Sequence, residues 1–137
     1  MTTRTALHAP TRSIGDVMSA SPHTITSDQK LSVAHRMMRE HELRHLPVLR
    51  NGKLVGVLSQ RDLYLVESMA GVDADIDVIA DAMTPDVYAT PPDTSLREVV
   101  HTMSKRKYGC AVILEGDRVT GVFTATDALR ELADALP

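Results

Sequence analysis

Two short segments carry the residue types best suited to chemistry: Ser59-x-x-Asp62 and Thr124-x-x-Asp127. Each sets a hydroxyl three positions ahead of a carboxylate. An ionised aspartate only accepts hydrogen bonds, so it suits a group with adjacent hydroxyls, such as a ribose. A helix beginning at the same place would offer free N–H groups and a positive dipole end to a phosphate. The same spacing is that of a capping box, in which the two side chains satisfy backbone N–H groups at a helix start. Spacing alone leaves both readings open. Each copy follows an apolar run containing Gly-Val, at Gly56-Val57 and Gly121-Val122. A glycine inside a strand permits close approach by another group.

The recurrence extends well beyond the motif. A shift of 65 residues lays Gly52–Asp62 on Asp117–Asp127 without a gap. The same shift lays Ile14 on Ile79, Asp16 on Asp81, Met18 on Met83, Leu31 on Leu96 and Met38 on Met103. Two copies of one unit imply a pseudo-twofold domain with two equivalent clefts. The boundaries read as a tail at 1–13, a first repeat at 14–71, a linker at 72–78 and a second repeat at 79–137.

The elements that position the motifs follow from periodicity. Leu31, Ala34, Met38 and His41 recur at helical spacing, which predicts an amphipathic helix over 30–41 with Ser27-Asp28 as its cap. Asn51-Gly52 between two β-rich runs is a hairpin signal. Ser59 then opens a second helix. The second repeat shows the same order, with a helix on Leu96, Val99, Val100 and Met103, a hairpin turning at Glu115-Gly116-Asp117, and a last helix over 125–136. The fold class is α+β, with two β-α-β-β-α repeats related by a pseudo-twofold.

Composition narrows the function. The 137 residues suffice for one shared core, and neither half is large enough to be comfortable alone. A net charge of −3 and 3% aromatic residues argue against nucleic acid as the main partner. The single cysteine, Cys110, excludes an internal disulfide and fits a reducing, cytoplasmic location. No run approaches the ~20 apolar residues of a membrane span, and no signal peptide is visible. The six histidines fall on scattered elements without metal-ligand spacing. No nucleophile beside a base, no catalytic carboxylate pair and no glycine-rich phosphate loop stands out, so the chain does not read as an enzyme.

Taken together, the element order, Leu46-Pro47-Val48-Leu49, the two Gly-apolar-apolar-Ser/Thr-x-x-Asp endings and the Asp-x-Met openings at Asp16 and Asp81 resemble a tandem pair of cystathionine-β-synthase (CBS) domains, a Bateman module. The resemblance covers residues 14–136. It implies that the two repeats pack sheet to sheet and form two clefts for adenosine compounds: AMP, ADP, ATP, NAD or S-adenosylmethionine. It implies that Asp62 and Asp127 hold ribose hydroxyls, with Ser59 and Thr124 near ribose or phosphate. Thr24-Ile25 and Ala89-Thr90 would line the adenine slot. Arg61 and Thr126, inside the motifs, face either phosphate or solvent. No cofactor is required, and a homodimer with an unknown protein partner is expected. An interaction module with empty clefts is the alternative.

The second repeat departs from the pattern. Arg44-His45-Leu46-Pro47 becomes Gly109-Cys110-Ala111-Val112. Arg44 and His45, with Pro47 beside them, could contact phosphate in one cleft with nothing equivalent in the other. Unequal clefts are therefore expected, and the sequence does not say which cleft Arg44 faces.

Overall fold

The computed structural model describes residues 12–137. Of the expected tail, residues 1–11 lie outside the described residues. A short helix α1 (Ile14–Val17) and a two-residue strand β1 (Ser19–Ala20) open the fold. The first repeat continues as β2 (Ile25–Thr26), α2 (Leu31–Glu40), β3 (His45–Arg50), β4 (Lys53–Ser59) and α3 (Gln60–Glu67). A 3-10 turn at Ile79–Asp81 precedes β5 (Ala89–Thr90), α4 (Leu96–Arg106), β6 (Cys110–Glu115), β7 (Arg118–Thr124) and α5 (Ala125–Ala135). Among the described residues no helix is long and apolar enough to cross a membrane.

Local sequence accounts for most of these elements. Leu31, Ala34 and Met38 line the buried face of α2, and Val99 and Met103 that of α4. Asn51 and Gly52 take φ of 52° and 78°, the left-handed pair that a two-residue turn needs to match strand twist. β2 runs parallel to β3, and β3 antiparallel to β4, with Leu46 opposite Leu58. The second sheet repeats this with β5, β6 and β7. Both hairpins carry a register shift at the same place, Val48/Leu49 and Ile113/Leu114.

The opening segments do not stay with their own repeats. β1, near the start of the first repeat, pairs antiparallel with β7 of the second, Ser19 opposite Val122. Thr84, which stands 65 residues after Ser19, bridges Val57 of the first repeat in the same sense. Ile14 is fully buried among Val99, Met103, Ala111, Ile113 and Phe123. Ile79 is fully buried among Leu31, Leu46, Val48 and Leu58. The backbone bonds match as well. Ile14 N–H donates to the Thr94 carbonyl at 2.7 Å, and Ile79 N–H to the Gln29 carbonyl at 2.8 Å. Each repeat's core is completed by the other's opener. A third cluster, Cys110, Val112 and Val122 with Leu54 and Val57, joins the two sheets.

Glycine makes the crossings possible. A Cβ on Gly56 would lie 2.8 Å from Met83 Sδ and 2.9 Å from the Thr84 carbonyl oxygen. A Cβ on Gly121 would collide with the Met18 thioether. The close approach that the Gly-Val pairs permit is therefore filled by a crossing methionine from within the chain.

The helix starts bring two corrections. Ser27-Asp28 does not cap α2: the N-cap is Lys30, with no side-chain bond. The free N–H groups of Leu31 and Ser32 donate instead to the carbonyls of Asp77 and Ala74 in the acidic connector. Arg12 does the matching work in the other half, its carbonyl accepting from Leu96 N–H at 2.8 Å.

Two substitutions test the exchange. Gly56→Ala has a backbone oxygen in its way, and should cost roughly 1–3 kcal/mol in chemical denaturation. Ile14→Ala should cost about 2–5 kcal/mol, a core-sized loss from a position close to the amino terminus. A loss below about 0.5 kcal/mol at Ile14 would show that the opener does not dock as described.

Candidate functional site

Both Ser/Thr-x-x-Asp motifs form capping boxes. Asp62 N–H donates to Ser59 Oγ at 3.0 Å, and Ser59 N–H to Asp62 Oδ2 at 3.4 Å. Asp127 N–H donates to Thr124 Oγ1 at 3.2 Å, and Thr124 N–H to Asp127 Oδ2 at 2.9 Å. Capping uses one oxygen of each carboxylate and leaves the other free to take a further partner. Asp127 Oδ1 accepts from Arg130 at 3.1 Å. Capping and ligand contact are therefore compatible at these positions.

A cleft of about 630 Å³ opens at the Asp127 end. Its walls come from three places. The first repeat's crossing segment contributes Ser19 to His23, and the turn after α2 contributes His41 to His45. The second repeat contributes Val122, Thr124, Thr126, Asp127 and Arg130. Arg44 and His45, from the first repeat, thus face the motif of the second. The backbone explains the reach: the Arg44 carbonyl accepts from Gln60 N–H at 2.8 Å at the start of α3, which anchors the turn while its side chains line the neighbouring cleft.

His23 and His41 stack in this wall, with ring centroids 3.8 Å apart and planes 18° apart. His45 lies between the two motifs. Burial pushes its pKa down from the ordinary 6.5, with Arg44 adding to that and the carboxylates of Asp62 and Asp127 opposing it. Its Nε2 lies 3.2 Å from where a Cβ on Gly109 would be. The two departures from the repeat are thus complementary, since the bare glycine leaves room for the imidazole.

The Asp62 end is furnished differently. Thr84 Oγ1 donates to Asp62 Oδ2 at 3.2 Å. Asp86 and Tyr88 stand at the positions matching Ser21 and His23: the Tyr108 hydroxyl lies 3.3 Å from both Asp86 carboxylate oxygens, and its ring stacks on Tyr88 with centroids 5.6 Å apart. Cys110, at the position matching His45, is buried, and burial raises its thiol pKa to about 12. It packs as a small apolar residue.

The structure brings Thr124, Thr126, Asp127, Arg44 and His45 together around one cleft. Ser59 and Asp62 stand at the other motif, with Arg61 exposed on the first turn of α3. Four expected residues stand elsewhere. Ile25 is in the first repeat's core, and Pro47 is fully buried on β3 opposite Val57. Thr90 is buried and bonded through its hydroxyl to Thr94 at 2.6 Å. Ala89 is exposed on β5. Thr24 is half-buried and lies just after the residues that do line the cleft. The cleft wall lies a few residues before Thr24, because the chain crosses repeats before β2 and the crossing segment forms that wall.

Sequence reasoning missed Ser19 to His23, His41 and Arg130. Arg130 had a local signal, one helical turn beyond Asp127. The histidines had none, since nothing local shows that His23, His41 and His45 converge. Among the described residues, no group of three His, Cys, Asp or Glu is placed to hold a metal ion.

The family model of the CBS domain matches twice, at residues 14–67 and 77–134. Hypoxic response protein 1 of Mycobacterium tuberculosis (strain ATCC 25618 / H37Rv) is 24% identical over 120 residues, 87% of this chain and 84% of that protein. Inosine-5′-monophosphate dehydrogenase of Korarchaeum cryptofilum is 31% identical over 115 residues, which are 83% of this chain but 22% of the enzyme. A solved CBS domain pair of protein MJ0100, in complex with 5′-methylthioadenosine and S-adenosyl-L-methionine, superposes with a TM-score of 0.83 at 25% identity. That match covers 93% of this chain and all of the other.

The state of Cys110 gives a direct check on packing at the site. With its thiol held to about 12, native protein at pH 8 should resist alkylation by iodoacetamide and react fully once unfolded. Rapid labelling of native protein, followed by mass spectrometry, would mean that the start of β6 opens to solvent.

Proposed function

This chain belongs to the CBS domain family, and from that premise we propose that it is a regulatory module that binds an adenosine-containing ligand and performs no catalysis. The observation that carries this reading is the composite cleft at Asp127. One wall and the Asp127 carboxylate come from different repeats, so an occupant would touch both. A ligand that binds one arrangement of the repeats better than another shifts the balance between them. The complex of MJ0100 with two adenosine compounds supports the ligand class. Asp127 is the residue that would take ribose hydroxyls, with Asp62 its counterpart at the other end.

The reading includes a homodimer. α5 contains no buried residue, yet carries Leu129 and Leu132, with Leu136 at its C-cap, at 65%, 54% and 60% exposure. Tyr64 and Leu65 on α3, and Met69 just beyond it, are similarly bare. Exposed apolar surface on this scale marks an interaction site. A second copy would cover both helices, and a protein partner would read the resulting change of pose in the cytoplasm. The engagement of both aspartates as caps favours one alternative, an interaction module whose clefts stay empty.

Thermal shift with millimolar AMP, ADP, ATP, NAD and S-adenosylmethionine, with GMP as control, tests the ligand. A compound at ~100 times its Kd should add about 2.7 kcal/mol. Asp127→Asn should remove that shift while keeping the fold. No shift with any adenosine compound, in protein free of co-purified nucleotide, would leave the interaction module. For the dimer, Leu132→Glu should convert the species seen by light scattering into monomer, and a wild-type chain that is already monomeric at micromolar concentration would refute it.

A further inference from the structure

At the Asp127 cleft the crossing segment and the turn after α2 form separate walls, Ser21 and His23 in one, Leu43 in the other. A shift of 65 residues lays these three on Asp86, Tyr88 and Tyr108. At the Asp62 end the two matching segments are joined. The Tyr108 hydroxyl donates to the Asp86 carboxylate, 3.3 Å from each oxygen. The Tyr108 and Tyr88 rings stack, with planes 18° apart. Leu43 has no polar side-chain atom, so the Asp127 cleft has no counterpart of this bond.

Two further lining positions differ in the same sense. Ser19 corresponds to Thr84, whose hydroxyl donates to Asp62 Oδ2 at 3.2 Å and so anchors the segment two residues before Asp86. Arg44 corresponds to Gly109, beside Tyr108, and the His45 ring takes up the space that this glycine leaves. Five positions that border open volume at the Asp127 end are thus engaged within the chain at the Asp62 end.

We propose that Tyr108, tied to Asp86 and stacked on Tyr88, is a latch that holds the two walls of the Asp62 end together and shuts it to adenosine compounds, so that each chain takes a single ligand, at Asp127. This rests on the adenosine reading above and adds its stoichiometry. A carboxylate acceptor makes the phenol bond charge-assisted. Both rings also pack against the core cluster of Ile14, Val99 and Met103, which fixes them where they stand. An occupant of the Asp62 end has to break the bond, part the stack and shift a ring off that core. Losing the bond and the stack weakens binding by about tenfold or more. Entry at Asp127 displaces at most the exposed Arg130 from its carboxylate, a surface pairing of little worth. The two ends therefore differ by what must move before a ligand can enter.

Isothermal titration calorimetry of the full chain with AMP and with S-adenosylmethionine tests this. Whichever compound binds should fill one site per chain, and Asp127→Asn should abolish that site. The pair Asp86→Ser and Tyr108→Leu writes the residues of the open cleft into the closed one, and should raise the count to two. Added to Asp127→Asn, the same pair should restore one site, which Asp62→Asn then removes. Asp86→Ser alone changes an exposed residue and leaves the core untouched. It should give a second, weaker site even where Tyr108→Leu impairs folding. Two wild-type sites within about tenfold of each other in affinity would overturn the latch while sparing the adenosine reading. So would a count that stays at one in both Asp86→Ser and the folded double variant. Binding of neither compound to any of these chains would fell the adenosine reading itself, and this proposal with it.

Discussion

Everything in this structure depends on the exchange of opening segments between the repeats. Met18 packs on Gly121 and Met83 on Gly56, each from the opposite half of the chain. Ile14 and Ile79 then fill the other repeat's core. Neither half-sized repeat buries enough apolar surface for comfortable independence, and the exchange removes the need. It also couples the halves. The crossing strand is paired to β7 of the other repeat, so a change in one repeat's pose is felt at the other's cleft wall.

The exchange places the chemistry. Because the chain after α1 runs along the second repeat, Ser19 to His23 become a wall of the cleft beside Asp127. The loop carrying Arg44 closes that cleft from the other side. The broken symmetry also has a steric side. His45 needs the space that Gly109 leaves, so the histidine in one repeat and the glycine in the other form one feature.

Capping and binding converge at the two aspartates for a geometric reason. A helix amino terminus that ends a strand at the mouth of a cleft needs an acceptor for its N–H groups, and a carboxylate has acceptor capacity left over. Choosing between cap and ligand contact at Asp62 or Asp127 is thus unnecessary at the level of geometry. The distinction lies in what occupies the remaining oxygen: Arg130 at one end, and at the other no group for Oδ1 of Asp62 among the described residues, Thr84 sharing Oδ2 with the cap.

The sequence by itself determined the repeat, the order of its elements, the hairpin turn at Asn51-Gly52 and the helices on Leu31–Met38 and Val99–Met103. These are local: side-chain periodicity and turn chemistry act within a few residues, and the 65-residue offset is visible in identities. It also pointed to both motif aspartates and to the oddity of Arg44-His45. It did not show that Ile25, Pro47 and Thr90 are buried, because an apolar or small residue on a strand looks the same in sequence whether it faces a cleft or the core. Only the tertiary structure decided which cleft Arg44 faces, that His23, His41 and His45 share it, and that the Gly-Val pairs receive methionine. Those facts depend on which half of the chain a segment packs against. Two repeats of one pattern offer each opener similar local partners, so the choice is made by long-range packing.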